Sequence, residues 1–397
     1  MSIFGIVCEY NPFHLGHLYQ IEETRKRLGE DSIAVCVMSG DYVQRGEAAM
    51  FTKHARAEAA CRCGADLVLE LPLPWSIASA ERFASAAVEM LSAAGCDYIS
   101  FGSECGDISK LDRLARYAAS DSVRQNVKAL YKCSAAMPYA KVRQLAIERE
   151  LGDDAELLSK PNNILAVEYI KAIINRKLNM IPMTVQRIGN AHDGRGDMGP
   201  RSASELREML EKGEDITSLI PENAANIYNV EVNQGRIRNT QLMDIALLAR
   251  LRALSEKDFE LIPDGGEGAG RRLFKYVKEY STTYDIAYHA ATRPYPFARM
   301  RRMLMCAALG ISAELTNESP PYMRVLSFNE KGRNHLRTLE NAEIPLLTKP
   351  AEVRTLGQYA ENVFVSGAYA HDLFRLQFVT KDDKKAGMDW RKGPIIV

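Results

Sequence analysis

His14 and His17, in the run HLGH near the start of this 397-residue chain, are the residues best placed by type and spacing to do chemistry. Imidazoles can donate hydrogen bonds to phosphoryl oxygens as charge develops on them, and Gly16 offers no side chain to obstruct a flat ring approaching the backbone. The flanking elements follow from composition. Ile3 to Cys8 is a short apolar run with three β-branched residues, which predicts a strand buried on both faces. Asn11 and Pro12 break it, and LYQIEETRKRL then places Leu18, Ile21 and Leu28 at roughly helical spacing. Strand, turn, helix puts both imidazoles at a helix N-terminus, where unpaired backbone N–H groups and the helix dipole favour an anion, a phosphate above all. Neither G-x-x-x-x-G-K-[ST] nor a G-x-G-x-x-G following a strand occurs, so the two common glycine-rich phosphate cradles are missing.

The elements that must hold this site alternate. Strand-like runs at Ser32 to Met38, Asp66 to Leu71 and Asp97 to Phe101 are separated by helical patterns at Thr52 to Cys63 and Ala80 to Ala94. Alternation of this kind predicts a mostly parallel sheet with crossover helices. Ligands of such sheets bind beyond the carboxyl ends of the strands, so the loops Glu9 to His17, Ser39 to Glu47 and Gly102 to Glu104 should converge. A helix starts at Pro161, with Ile164, Val167 and Ile170 as its apolar stripe and Asn162, a cap or a ligand contact, at its edge. A further strand, Pro182 to Ile188, carries Arg187 at its carboxyl end, where a guanidinium meets either a phosphate or an ion-pair partner. Residues 108–159 read as a helical insertion. Beyond Asp215 the alternation stops: patterns such as Gln241 to Ser255 and Ala298 to Leu309 dominate, with a mixed segment from Tyr322. The expected division is an α/β domain over 1–215 and a largely helical domain over 216–397.

Fifty-one basic and 51 acidic side chains leave no formal charge, which argues against a uniformly basic protein. Locally, Arg271, Arg272, Lys275, Lys278, Arg293, Arg299, Arg301 and Arg302 face only Glu279 and Asp285, with Tyr276, Tyr280, Tyr284, Tyr288, Tyr295 and Phe297 among them. Such a segment suits either unpaired bases of an RNA or a solvated helical face over half-buried tyrosines. The eight cysteines show no zinc-finger spacing and read as free thiols, Cys8 beside the histidines being the one to watch. His289, His335 and His371 stand isolated and read as structural. No apolar run approaches the roughly 20 residues that span a bilayer, and no secretory signal is apparent, so a soluble cytoplasmic protein with no membrane partner is expected.

EYNPFHLGH at Glu9 to His17 resembles the signature of the tRNA(Met) cytidine acetate ligase family, a branch of the H-x-G-H nucleotidyltransferase superfamily with a Rossmann-like core. MSGDYVQRGE (38–47), GADLVLELP (64–72), FGSE (101–104), PNNILAVEYIKA (161–172), SASELR (202–207) and TRPYPFARMRRML (292–304) resemble further family blocks in the same order, across most of the chain. The resemblance implies an ATP-dependent ligase that activates acetate as acetyl adenylate and acetylates N4 of the wobble cytidine of elongator tRNA(Met). It implies a catalytic trio of His14, His17 and Arg187. ATP contacts are implied at Val7, Cys8, Glu9, Tyr10, Asn11, Pro12, Phe13, His14, Leu15, Gly16, His17, Leu18, Tyr19, Gln20, Gly102, Asn162, Arg187 and Ile188. Mg²⁺ is expected at the β- and γ-phosphates, and Ser202, Ser204 and Arg207 either hold the triphosphate or cap a helix. Arg293, Arg299, Arg301 and Arg302 are the implied contacts to the anticodon stem-loop. The chain departs from the family pattern at Ala48, after Glu47, and at Ala191, before His192. A small-molecule nucleotidyltransferase with the same H-x-G-H site is the competing expectation, and an RNA-binding protein with a vestigial site a further one.

Overall fold

The structure is a computed structural model describing residues 1–133, 139–187 and 201–397. Its centre is a sheet of eight strands: β1 (Ile3–Cys8), β2 (Ile33–Ser39), β3 (Leu67–Leu71), β4 (Tyr98–Ser103), β5 (Ile181–Gln186), β6 (Met323–Phe328), β7 (Leu346–Leu347) and β8 (Ile395–Ile396). They lie in the order β8-β6-β3-β2-β1-β4-β5, with β7 also pairing with β6. Every pairing is parallel except β3 with β6.

β2 and β3 are buried at every position, which is why IAVCVMS and LVLEL carry almost no polar residue: helices cover both faces. Alternation along the strands sorts side chains into two layers. Phe4, Ile6 and Cys8 of β1 with Ala34, Cys36 and Met38 of β2 pack among Ile21 of helix α1 (Leu15–Leu28) and the alanines of helix α2 (Lys53–Arg62). On the opposite face Val35, Val37, Leu67, Leu69 and Leu71 pack under helices α3 (Ala80–Ala93) and α4 (Pro161–Arg176). A Cβ on Gly5 would stand 2.6 Å from Leu91 Cδ2, so glycine lets α3 close onto the central strand. The helices of the 108–159 segment add Leu111, Leu114, Val123 and Val127 to this same core.

A third core, among helices Thr240–Arg252, Ala269–Glu279, Thr283–Ala290 and Phe297–Leu309, takes in Tyr42 and Ala48 from a two-strand hairpin, Tyr42–Val43 with Glu47–Ala48. The expected boundary at 215/216 does not follow the sheet, because β6, β7 and β8 all come from beyond it. MRVLSF is a fully buried six-residue strand whose antiparallel pairing needs no crossover helix, so it gives no βαβ signal in the sequence. Helix Gln358–Arg375 ties the two regions: Val363 and Phe364 enter the sheet core, Ala370 and Phe374 the helical one. Among the described residues no helix is long and apolar enough to cross a membrane.

Candidate functional site

β1 delivers the chain into a tightly fixed loop. Tyr10 holds a left-handed backbone conformation (φ 46°), of order 1 kcal/mol unfavourable for a residue with a Cβ. Its buried ring offsets this by contacting Phe13 and His17 edge-on, each with centroids 4.8 Å away, while its hydroxyl meets Cys36 Sγ at 3.3 Å. The Asn11–Pro12 bond is cis. Asn11 Oδ1 accepts from Met50 N at 2.7 Å, its carbonyl accepts from Arg207 at 2.9 Å, and Phe13 N donates to the Tyr228 hydroxyl at 3.0 Å. Each end of this loop therefore rests on a different element.

The two histidines follow as a reciprocal cap. His14 is the N-cap of α1, its Nδ1 accepting from Gly16 N at 3.0 Å; His17, at the third helical position, accepts from His14 N through its own Nδ1 at 3.2 Å. A nitrogen that accepts carries no proton, so in the neutral rings the proton of each lies on Nε2. The rings stack with centroids 3.7 Å apart and planes 24° from parallel. Burial, followed by the charges of Arg187 and Arg207, pulls His14 down to about 4; burial, then His14 and Arg187, holds His17 well below its ordinary range. At neutral pH the pair offers two uncharged N–H donors at the positive end of a helix, flanked by guanidinium groups. Gly16 has a closer purpose than admitting a ligand ring: a Cβ there would lie 2.9 Å from His14 Cε1 and 3.1 Å from Nδ1, against the capping ring.

Other expected residues gather around this pair in different ways. Arg187 follows β5, its backbone N–H donating to Ser103 O at 3.0 Å, and its side chain lies across Gly102, where a Cβ would be 3.3 Å from Arg187 Cγ. Ile188 and Ala191 fall outside the described residues. Asn162 is engaged with Glu104, accepting nothing from the helix it starts: its Nδ2 donates to Glu104 Oε1 at 2.7 Å, while Asn163 N donates to Oε2 at 2.9 Å. Asn163 Oδ1 in turn accepts from the backbone of Glu104 and Cys105, so FGSE and PNN interlock. Gln20 ties α1 to β4 through Ser100 O at 3.0 Å. Cys8 packs on β2 with its thiol pushed up by burial, a core residue. Ser202 is the N-cap of helix Ala203–Glu211 in a capping box with Glu205, and Ser204 accepts from Arg207, whose other nitrogen reaches Asn11 O.

Sequence reasoning missed Arg56. It is fully buried on α2 and donates to the carbonyls of Phe51, Glu9, Ser39 and Gly40, joining the loops after β1 and β2. Nothing in KHARAEAA singles it out, because its neighbouring alanines read as an ordinary helix face. Glu47 is a second junction, paired with Arg301 at 2.8 Å and Arg238 at 3.8 Å, which hold it below its ordinary value against burial. Gly46 makes that approach possible: it has φ 72°, and a Cβ would be 2.8 Å from Arg302 N. Ala48, the departure from the family pattern, is buried in the hairpin, its carbonyl accepting from Arg238.

The basic segment divides. Arg271 pairs with Glu256 and Glu260, and Arg272 donates to Ala290 O. Arg299 donates to Asp264 O with its guanidinium over Tyr295, Arg301 pairs with Glu47, and Arg302 is half-buried, whereas Arg293 is exposed. Tyr284 and Tyr288, 59% and 57% exposed, stack 6.0 Å apart at 11° with Phe297 edge-on. A cavity of about 260 Å³ joins this aromatic surface to the Gly46–Ala48 turn, lined by Arg238, Asp244, Tyr284 and Arg301 among others.

The profile of the HIGH nucleotidyl transferase family matches residues 1–387. A tRNA(Met) cytidine acetate ligase of Acetivibrio thermocellus is 31% identical over 417 residues, covering 100% of both chains, and one of Caldicellulosiruptor saccharolyticus is 34% identical over 356 residues, 88% of this chain and 87% of its own. Two crystal structures of Thermotoga maritima TmcAL, one apo and one bound with alpha-thio ATP, superpose with TM-scores of 0.92 and 0.91 at 29% identity; they cover 100% of this chain and 100% and 99% of theirs.

Proposed function

Because the chain belongs to the HIGH nucleotidyl transferase family and, within it, to the tRNA(Met) cytidine acetate ligases, we propose that it activates acetate with ATP and transfers the acetyl group to tRNA(Met). The observation that carries the reading is the stacked, neutral His14–His17 pair at the start of α1 with Arg187 and Arg207 beside it. An acetate oxygen attacks the α-phosphorus of ATP, pyrophosphate leaves, and acetyl adenylate forms. Charge grows on the phosphoryl oxygens during that step. Fixed Nε2–H donors and a helix N-terminus meet it without reorganising. Protein groups need make no covalent bond; positioning and charge stabilisation suffice.

The exocyclic N4 of the wobble cytidine then attacks the acetyl carbonyl, releasing AMP and leaving N4-acetylcytidine. A wobble base is already unpaired, which lowers the cost of presenting it. The anticodon stem-loop is placed on the surface of Arg293, Arg299, Arg301 and Arg302, with Tyr284 and Tyr288 as a stacking platform of the kind single-stranded bases use. Magnesium is a separate matter. Both oxygens of Glu104 are taken by Asn162 and Asn163, while Glu9 gives one oxygen to Gln44 N and Glu47 one to Arg301. Mg²⁺ enters this reading as the ion ATP brings on its own phosphates. The cytoplasm, where ATP and tRNA are present, is the expected compartment.

Acetate-dependent exchange of labelled pyrophosphate into ATP tests the first half-reaction without tRNA. Exchange that requires acetate supports it; exchange with phosphorylated metabolites in place of acetate would move the chain to the small-molecule nucleotidyltransferases.

A further inference from the structure

Two positions before Arg56 in α2, His54 belongs to a second constellation. His54, the second residue of α2, His371 on helix Gln358–Arg375 and Asp389 in the C-terminal segment each offer one ligand atom within 4.8 Å of the other two, and all three are buried. Nothing in the sequence groups them: the three lie in distant stretches, and His371 reads there as isolated.

Several features distinguish this group from an ordinary buried ion-pair network. His54 Nδ1 has no partner although His54 is 3% exposed, and His54 Nε2 meets only Asp389 Oδ1, on a residue 1% exposed, at a distance and angle that make no well-formed hydrogen bond. Orphaned polar atoms at that depth cost about 1–3 kcal/mol each unless something meets them. His54 Nε2 and Asp389 Oδ1 stand 3.4 Å apart. That one separation matches the edge of a tetrahedron with its centre about 2.1 Å from each corner, the ordinary zinc bond length to nitrogen and oxygen, and the His371 atom lies within 4.8 Å of both.

His371 is prepared in the same sense. Its Nδ1 stands 2.7 Å from Asp41 Oδ2, and a proton shared there leaves Nε2 as the free donor atom; a carboxylate behind a metal-binding histidine fixes the tautomer in this way. The other oxygen of Asp389 is held by Lys53 at 2.8 Å and Arg324 at 2.6 Å, which Glu70 also faces. Those two cations leave Asp389 a single free oxygen and disfavour hard ions that require several, such as Mg²⁺ or Ca²⁺. Two imidazoles and one carboxylate oxygen suit a borderline-soft ion.

We propose that His54, His371 and Asp389 form a buried zinc site, oriented by Asp41 and completed by a solvent ligand. It is structural: it clamps the C-terminal helix and the C-terminal segment to α2 and, through Asp41, to the loop that Arg56 holds beside the ATP-binding region. The proposal stands independently of the reaction assigned above.

The test uses the untagged full-length protein. Expressed with zinc, it should carry about one zinc per chain by elemental mass spectrometry, and the chelated protein should recover visible d–d bands of four-coordinate cobalt on titration with Co²⁺. H54Q and H371Q should each lose at least about tenfold in zinc affinity, and D41N about 10- to 100-fold. Wild-type protein holding less than about a tenth of an equivalent after loading with zinc overturns the proposal, a result that does not depend on any variant folding. So does H54Q that binds zinc as tightly as wild type, which would assign the metal to the thiols.

Discussion

Substituting His14 separates two roles that the structure gives to one ring. Nδ1 accepts from Gly16 N at 3.0 Å as the helix cap, while Nε2 is the proposed phosphate donor. Asparagine retains an acceptor at the Nδ1 position and is among the best N-caps, but has nothing at Nε2; alanine lacks both. Loss of the cap costs about 1 kcal/mol, and loss of one preorganised donor to a developing oxyanion about 10²- to 10³-fold in rate, or roughly 2.7–4 kcal/mol. H14N should therefore match wild-type stability within about 0.5 kcal/mol while H14A falls by about 1–2 kcal/mol. Acetate-dependent pyrophosphate exchange should drop about 10²- to 10³-fold in both. Urea unfolding and exchange kinetics on the same preparations read the two effects apart. H14N exchanging at the wild-type rate would refute the donor role, and H14N as unstable as H14A would refute the cap.

Gly16→Ala sets a Cβ 2.9 Å from the His14 ring, so exchange should fall more than about tenfold while the helix, favouring alanine by about 1 kcal/mol, keeps its stability; unchanged exchange would show that the ring position is not critical. R56M leaves three buried carbonyls and the part-buried one of Glu9 without their donor, and at about 1 kcal/mol each it should destabilise the fold by about 3–4 kcal/mol, measured by urea unfolding, with R56K intermediate because an ammonium lacks the fork. A loss below about 1 kcal/mol in R56M would remove Arg56 as a fastener. Acid should destabilise the protein in a defined window. His14, at about 4, lies below the ordinary histidine value, so the unfolded chain binds the proton first and stability falls as pH drops below about 6.5. At pH 5 His14 contributes a loss of about 2 kcal/mol, readable from urea unfolding curves, whereas the histidine pair itself should add no pH dependence to ATP affinity from about pH 6 to 8, because neither His14 nor His17 titrates there.

How much was legible in the sequence depends on the range of the interactions. β1 falls at Ile3–Cys8 as expected, and the N-terminus of α1 lies where the H-x-G-H run places it, because apolar runs, Asn-Pro and capping act over a few residues. Asn162 was legible as a helix-edge residue but not as Glu104's partner, a contact 58 residues away along the chain. Arg56 and the His54–His371–Asp389 group were illegible for the same reason: an arginine or histidine on a helix shows no sign of burial until distant segments close over it. β6 escaped because an antiparallel strand after a helical stretch has no alternating pattern to announce it. In the basic segment, charge counting took no account of Glu47, Glu256 and Glu260, which engage Arg301 and Arg271 from elsewhere in the chain.

The most direct test of the central claim is mass spectrometry of elongator tRNA(Met) incubated with this protein, ATP and isotopically labelled acetate. The account predicts N4-acetylcytidine at the wobble position carrying the acetate label, with AMP and pyrophosphate released in equal amount. Unmodified tRNA under conditions in which the protein binds ATP would contradict it.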